Sequence, residues 1–377
     1  MDKTLDHESN DAGRMAPRPD SPTAAATVLD RVRGLAALIT TPLLPQDYLD
    51  RIDPLGSTTT LRGRIVALLP ETRDAATVVI RPGAGWRGHR PGQYLRVGID
   101  VDGVRLWRTY SLTWPGTRAD GCIAITVTAG PDGVVSTHLV RRARVGTLVH
   151  LDQAAGDFVL PAVPPAKTLF VTGGSGITPV MSMLRASLDQ LDDVVVVHSA
   201  RTAADVVFGG ELRMLDGLGR IRLVERHTRS EGRLDRAQLL DLVPDLAERE
   251  TWACGPTGLL EEVEALHDDL GLRDRLHVER FRPVLRATGA GGTVTFTRSA
   301  TTVDADGATS LLDTGEAAGV LMPSGCRMGI CFGCVVPLRE GSVRDLRDGA
   351  VTTALPGDGV LIQTCVSAAA GACDIDL

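Results

Sequence analysis

Three cysteines in the segment Ser324-Gly325-Cys326-Arg327-Met328-Gly329-Ile330-Cys331-Phe332-Gly333-Cys334 are spaced C-x4-C-x2-C, and Cys365 follows downstream. This is the spacing at which thiolates hold a [2Fe–2S] cluster, the fourth ligand arriving from a distant cysteine. The predicted ligands are therefore Cys326, Cys331, Cys334 and Cys365. Gly325, Gly329 and Gly333 suit such a loop, because glycine tolerates positive φ and lets backbone N–H groups come close to sulfur. A structural zinc site and a disulfide pair are the alternatives. Zinc sites usually arrive as two CxxC-like pairs, whereas here a triplet stands with a single partner. A one-electron carrier near the C-terminus needs a donor, and the rest of the chain is read with that need in view.

At 377 residues the chain has room for two or three domains. Its formal net charge of −7 argues against a nucleic-acid binder. The seven cysteines form an odd number clustered into one loop, which fits a reducing cytosol better than a disulfide framework. Residues 1–20 carry charges and lack an apolar core, so no signal peptide is expected. No run of eighteen apolar residues occurs, so no membrane span is expected either. The expectation is a cytoplasmic protein, free to dock at the inner face of a membrane through a partner.

Residues 1–25, with Pro17, Pro19 and Pro22, read as a disordered leader. Val28, Val32, Leu35 and Ile39 recur at helical spacing, and Pro42 and Pro45 end that stripe. Beyond Leu61 the pattern turns to short β runs: Arg62–Leu69, Ala76–Arg81, Gln93–Val97, Val104–Leu112, Cys122–Thr128 and Thr147–Leu151. Strands so spaced predict an antiparallel barrel. Within it lies Arg108-Thr109-Tyr110-Ser111, where Arg108 and Tyr110 share one face of a strand. Such a pair can meet a phosphate and stack on a flat ring, with Ser111 offering a hydroxyl. It can equally be a surface strand with a stray tyrosine. Gly133-Val134-Val135-Ser136 then opens a short helix, expected over Thr137–Arg142, whose first N–H groups are free for an anion.

From Lys167 strands and helices alternate, predicting a doubly wound parallel sheet. The strands are Lys167–Thr172, Val194–Ser199, Ile221–Arg226, Thr251–Cys254 and Leu276–Phe281. Helices are expected over Thr178–Leu191, Leu212–Leu218, Leu234–Glu248 and Leu259–Leu270. The first crossover runs through Thr172, Gly173, Gly174, Gly176, Thr178 and Pro179, and its glycines at the carboxyl end of a strand place N–H groups against a pyrophosphate. A tight turn with no ligand is the plainer reading of that stretch. Cys254-Gly255-Pro256 ends the fourth strand, where ligands sit in open α/β sheets; a structural buried cysteine is its alternative. Residues 287–292 (Ala-Thr-Gly-Ala-Gly-Gly) read as a flexible linker. After it come runs over Thr293–Arg298 and Thr301–Ala305, a helix over Ser310–Val320, the cysteine loop, and strands at Val335–Pro337 and Val360–Gln363. Cys373 matches no ligand position and reads as structural.

Arg108-x-Tyr110-Ser111 followed by Gly133-x-x-Ser136 resembles the flavin-binding motifs of the ferredoxin–NADP reductase family, and Pro91-Gly92-Gln93-Tyr94 resembles the turn before them. The C-terminal order of strands and cysteines resembles a plant-type ferredoxin with a β-grasp fold. The resemblance implies a reductase fused to a ferredoxin, divided as 1–57 leader and helical segment, 58–163 flavin barrel, 164–284 nicotinamide domain, 285–292 linker and 293–377 [2Fe–2S] domain. It implies that Arg108 binds flavin phosphate, Tyr110 stacks on the isoalloxazine, Ser111 bonds near N5, and Gly133 to Ser136 cradle a pyrophosphate. Cys254 would align the nicotinamide, with Glu279 beside it. Ser199 and Arg201 stand where this family places the 2′-phosphate, so NADPH rather than NADH is expected, and FAD rather than FMN. Arg226 and Arg229 could add charge there. The implied activity is an NAD(P)H-dependent flavoprotein reductase sending electrons from NADPH through FAD and the cluster to a partner. Thr41-Pro42-Leu43-Leu44-Pro45 and Asp47-Tyr48-Leu49 resemble actinobacterial members that serve membrane acyl desaturases. An oxygenase, hydroxylase or cytochrome P450 is the other acceptor, and a redox-sensing or cluster-scaffold protein the reading from another class.

Overall fold

The structure, a computed structural model, describes residues 52–57, 60–101, 103–116, 118–130, 133–281 and 287–377. The expected leader, the stripe at 28–39 and the 41–49 motif lie outside the described residues, as does Asp132 ahead of Gly133. Leu55–Leu377 form one compact unit, built on three sheets.

Six strands make the first sheet: β1 (Arg62–Pro70), β2 (Ala75–Pro82), β3 (Tyr94–Val101), β4 (Val104–Ser111), β5 (Ile123–Thr128) and β6 (Leu148–Leu151). Their order is β4-β3-β6-β1-β2-β5, with antiparallel neighbours throughout. A bridge from Leu112 to Ile125 joins the two edges and closes the barrel. Alternation along the strands sends Ile65, Val78, Ile80, Leu95, Val97 and Ile125 inward. The helix expected at 137–142 starts three residues earlier, as α1 (Val134–Arg141), with Gly133 as its N-cap. Thr137 N–H already bonds the Gly133 carbonyl at 2.9 Å, so the turn itself is helical.

The second sheet is parallel, in the order β11-β10-β7-β8-β9: β7 (Lys167–Gly173), β8 (Asp193–Ala200), β9 (Arg222–His227), β10 (Glu250–Cys254) and β11 (Leu276–Glu279). Helices α2 (Ile177–Ser187), α3 (Gly209–Gly217), α4 (Arg236–Leu242) and α5 (Thr257–Asp269) connect its strands. Both faces are buried, one over Phe170, Val196 and Trp252, the other over Leu169, Val197 and Val263. Hence β7 and β8 read as near-continuous apolar runs. The single helix expected over Leu234–Glu248 is instead α4 followed by a 3-10 turn at Leu246–Glu248. Pro244 lies between the two pieces, where a missing N–H and the proline ring stop an α-helix. Asp235 caps α4 in a capping box with Gln238.

The third sheet runs β13-β12-β17-β14-β15, with β16 (Leu361–Gln363) paired to β14. Its strands are β12 (Gly292–Phe296), β13 (Thr301–Ala305), β14 (Val335–Asp345), β15 (Val351–Ala354) and β17 (Ser367–Ile375); α6 (Leu311–Ala317) lies beside them. Strands β12 and β17 are parallel, and the other pairs antiparallel. The sequence reading had β14 ending at Pro337 and lacked β15 and β17 entirely. The glycine stretch expected as a free linker is pinned to this sheet. Ala287 N–H bonds Leu346 O at 3.0 Å, Gly289 N–H bonds Gly307 O at 2.5 Å, and Gly291 N–H bonds Ala369 O at 3.1 Å. A Cβ on Gly289 would sit 2.1 Å from the Ala369 carbonyl oxygen, so close backbone approach, not freedom, requires glycine there. No helix among the described residues is long and apolar enough to cross a membrane.

Candidate active site

A cavity of about 590 Å³ opens where the three sheets meet. Arg108, Thr109, Tyr110 and Ser111 reach it from the end of β4, Gly133, Val135 and Ser136 from α1, and Thr178 and Glu279 from the parallel sheet. Cys326, Met328 and Ile330 of the cysteine loop complete the lining. Strand pairing explains the barrel side, since Tyr94 stands opposite Ser111 in the β3–β4 hairpin and both face the cavity.

The residues present fit a flavin. The hydroxyls of Thr109 and Ser111 are buried with no hydrogen-bond partner among the described residues, which is costly unless a ligand supplies one. Burial and the neighbouring Arg327 push the Arg108 guanidinium pKa down, so an anion beside it would relieve an unfavourable charge. Its NH1 already donates to the Trp107 carbonyl at 2.8 Å, which fixes its direction. Tyr110 is held as the neutral phenol, its pKa raised by burial. At α1 no side chain caps the helix and no acidic residue stands in its first turn. A Cβ on Gly133 would lie 2.1 Å from Ser136 Oγ, so any larger residue there would have to turn the Ser136 hydroxyl out of its present place. Val135 is buried, whereas the Val134 side chain is exposed and faces no ligand space.

The nicotinamide side is built from two loops that touch. Gly174 has φ +54, which favours glycine, and Gly173 packs so closely that its Cβ would meet Pro256 at 2.7 Å. A Cβ on Gly255 would be 2.9 Å from Gly173 N. A 3-10 turn over Gly174–Gly176 runs straight into α2, and Ile177 N–H already bonds the carbonyls of Gly174 and Ser175. The N–H groups left for phosphate are those of the glycine turn, which has no side-chain cap and no acidic residue. Thr178 Oγ1 donates to the Ser175 carbonyl at 2.8 Å, and Pro179 is buried behind it. Thr172, expected among the cofactor ligands, has its hydroxyl engaged instead with His198 Nδ1 at 2.8 Å, deep in the sheet. Ser199 Oγ is buried and unpartnered. The Arg201 side chain is 74% exposed, its guanidinium 3.8 Å from Asp205. Arg226 turns away to the carbonyls of Glu231 and Gly232, and Arg229 bonds the Arg201 carbonyl through its backbone N–H. Cys254 is fully buried and lies behind the cavity wall, its thiol pKa raised by burial and then by Glu279. Glu279 faces the cavity with Oε2 buried and unpartnered, and burial lifts its carboxyl to about 8.

The four thiols stand as two pairs. Cys334 Sγ and Cys365 Sγ are 3.2 Å apart, within S–H···S hydrogen-bond distance. Cys326 and Cys331 are likewise hydrogen-bonded neighbours. One thiol of each pair ionises readily because its partner's S–H supports the thiolate: Cys331 is lowered to about 5 and Cys334 to about 6. Backbone N–H groups are aimed at sulfur, from Cys326 and Gly333 to Cys331 Sγ at 3.1 and 3.4 Å, and from Met328 to Cys326 Sγ at 3.3 Å. Two pairs of thiols are the donor set that a binuclear cluster takes, two for each iron. Arg327 and Phe332 hold positive φ (58° and 55°), a strained backbone for non-glycine residues that bends the loop around this space. Cys373 is buried in β17 away from the pairs. Tyr94, Phe281 and Met328 line the cavity although the sequence motifs did not mark them as site residues; only Tyr94, beside Pro91-Gly92-Gln93, had a local signal.

Comparison with known proteins agrees with this geometry. The models of an oxidoreductase FAD-binding domain, an oxidoreductase NAD-binding domain and a 2Fe-2S iron-sulfur cluster binding domain match residues 85–160, 170–265 and 294–370. An NADPH oxidoreductase of Mycobacterium tuberculosis is 52% identical over 354 residues, covering 92% of each chain. A glycine betaine monooxygenase reductase subunit of Pseudomonas aeruginosa is 29% identical over 73% of this chain and 84% of its own. In fold, phthalate dioxygenase reductase aligns over 85% of this chain and 98% of its own with TM-score 0.61 and 24% identity. FAD-binding barrel, NAD-binding sheet and 2Fe–2S domain thus follow one another in a single polypeptide, and the chain belongs to the family of NADPH oxidoreductases built in this order.

Proposed function

We propose that the chain takes electrons from NADPH and passes them singly to a partner enzyme. One observation carries this reading: a single cavity is lined by Ser111 and Tyr110 of the barrel, Glu279 of the parallel sheet and Cys326 of the cysteine loop. A donor, a two-electron acceptor and a one-electron carrier held by these three parts would be neighbours without any domain rearrangement. A flavin held by Arg108, Tyr110 and Ser111 would supply the conversion of a two-electron nicotinamide donor to one-electron delivery, and a 2Fe–2S cluster held by the four cysteines would supply the one-electron carrier.

The chain's own groups do the arranging. Arg108 and the N–H groups after Gly133 bind flavin phosphates, Tyr110 lies along the ring, and Ser111 Oγ donates to its edge. The glycines of the β7–α2 turn and Gly255-Pro256 hold the nicotinamide diphosphate, while Ser199 and Arg201 take a 2′-phosphate. Cys254 is a positioning residue behind the site. Glu279, neutral at pH 7, offers a hydrogen bond without bringing a charge next to the nicotinamide. Cys326, Cys331, Cys334 and Cys365 hold the cluster.

A membrane fatty-acyl desaturase is the acceptor we put first, on the resemblance of 41–49; such a partner would bring the protein to the inner face of a membrane. An oxygenase or P450 is the second reading. It is supported by relatives named as reductase components of glycine betaine monooxygenase and 3-ketosteroid-9-alpha-monooxygenase. Purified protein and NADPH are combined with membranes carrying a desaturase, or with an oxygenase component, and product is scored. Desaturated acyl chains support the first acceptor; product only with the oxygenase replaces it by the second. Absence of NADPH oxidation even with a dye acceptor would return the chain to a sensor or scaffold.

A further inference from the structure

Arg96 stands on β3 of the barrel, one residue past the apolar Leu95 and outside every flavin or nicotinamide motif. Its side chain is only 20% exposed. Two groups of the barrel hold it from behind. Asp152 Oδ2 lies 3.0 Å from its Nε, an ion pair not aligned as a hydrogen bond, and its guanidinium carbon sits 4.9 Å from the centre of the Trp107 ring. In front of it is the cysteine loop of the third sheet. A Cβ on Gly325 would be 3.6 Å from the Arg96 guanidinium carbon, and one on Gly333 would be 3.3 Å from its NH1 nitrogen. The loop therefore presents two bare glycine backbones to this one cation, and the cation belongs to another domain.

A charge in that place has two consequences. The guanidinium is planar and stacks against Trp107 while facing the loop, so it fixes the height of the loop over the barrel. It is also a permanent positive charge beside a site that gains one negative charge on reduction, and it favours the reduced form. Asp152, which also lies within electrostatic reach of Cys331, offsets part of that charge, but at 44% exposure against 20% for Arg96 it is the more strongly screened by water.

We infer that Arg96 is a positioning residue that docks the cysteine loop on the flavin barrel and raises the reduction potential of the cluster held there. The inference rests on the reading of Cys326, Cys331, Cys334 and Cys365 as cluster ligands. Arg327 of the loop pairs with Asp313 and Glu316, and Arg347 with Asp345, whereas Arg96 reaches the loop from across the domain boundary, so its contribution exists only while the loop is docked.

The test is a spectroelectrochemical titration of the full-length holoprotein and of Arg96→Gln, with flavin and cluster absorbance followed separately. Arg96→Gln should shift the one-electron equilibrium of the cluster against reduction by about tenfold, equivalent to 59 mV, with a smaller change at the flavin. Flavin-to-cluster transfer in stopped flow should slow. A cluster potential unmoved in Arg96→Gln overturns the inference while leaving the ligand reading intact. Absence of 2Fe–2S absorbance in the wild-type protein overturns the ligand reading, and this inference with it. Should Arg96→Gln fail to hold its cluster, Arg96→Lys decides. It keeps the charge but not the stacked plane, so slower transfer at a nearly unchanged potential supports the docking function, and wild-type values of both overturn it.

Discussion

Gly176 faces the carbonyl of Cys254 so closely that a Cβ on it would lie 2.0 Å from that oxygen. Its φ of −62° is ordinary, so space rather than backbone conformation demands glycine here. The contact locks the β7–α2 turn to the end of β10, the two loops proposed to hold the nicotinamide. Gly176→Ala must push a backbone carbonyl, which has no rotamer to yield. The variant should lose about 1–3 kcal/mol of stability, seen as a lower Tm, and its KM for NADPH should rise. Unchanged Tm and KM would show that the two loops are not braced in this way.

In the proposed electron path Ser111 and Tyr110 act before the branch between flavin and cluster, and Cys331 acts after it. Ser111→Ala removes a donor buried without any protein partner. It should slow NADPH oxidation about tenfold, the value of one hydrogen bond of about 1.4 kcal/mol. Tyr110→Ala should release flavin. Both should depress reduction of ferricyanide and of cytochrome c alike. Cys331→Ser replaces a thiolate by a harder, poorer ligand for iron. It should keep ferricyanide reduction, which draws on flavin directly, and lose cytochrome c reduction. Wild-type cytochrome c activity in a cluster-free Cys331→Ser protein would break this order.

The barrel was legible because short β-forming runs recur at regular spacing between Gly, Pro and Asp turns, and β1 to β6 begin and end within a few residues of the expected bounds. The cysteine loop was legible because ligand spacing is a local property. Strand β17 was not: Ser-Ala-Ala-Ala-Gly-Ala-Cys-Asp-Ile has neither alternation nor β-branched residues until its end. Its small side chains are set by close packing, since a Cβ on Gly341 of β14 would meet the Ala372 carbonyl at 2.1 Å. Thr172 shows the other kind of miss. Its place in a glycine-rich turn marks it as a ligand, while the buried His198 that takes its hydroxyl is twenty-six residues away. Arg96 has no local mark at all: its barrel partners Trp107 and Asp152 are distant in sequence, and the loop it faces belongs to another domain.

Arg201 is nearly free in solvent, and Ser199 Oγ beside it is buried without a partner. A 2′-phosphate would engage both. Arg201→Ala should lower kcat/KM for NADPH about ten- to hundredfold, as loss of a charge-assisted hydrogen bond of about 1.5–3 kcal/mol requires. The value for NADH should hardly move. An unchanged NADPH/NADH ratio removes Arg201 from the site.

Glu279 gives a pH signature. Its carboxyl is raised from the ordinary 4.5 to about 8 because burial penalises the charged form. Between those values the folded protein keeps a proton that the unfolded chain has lost. Raising the pH therefore favours unfolding, by at most about 1.4 kcal/mol per unit. The stabilising difference is complete below 4.5, is lost as pH climbs toward 8, and changes little beyond. Glu279→Gln cannot ionise and escapes this loss. Melting curves of both holoproteins from pH 5 to 9 should show the Tm of Glu279→Gln gaining on wild type up to about pH 8 and then running parallel. Parallel curves across the whole range would mean that Glu279 is ionised in the folded protein, and would end its assignment as a neutral donor beside the nicotinamide.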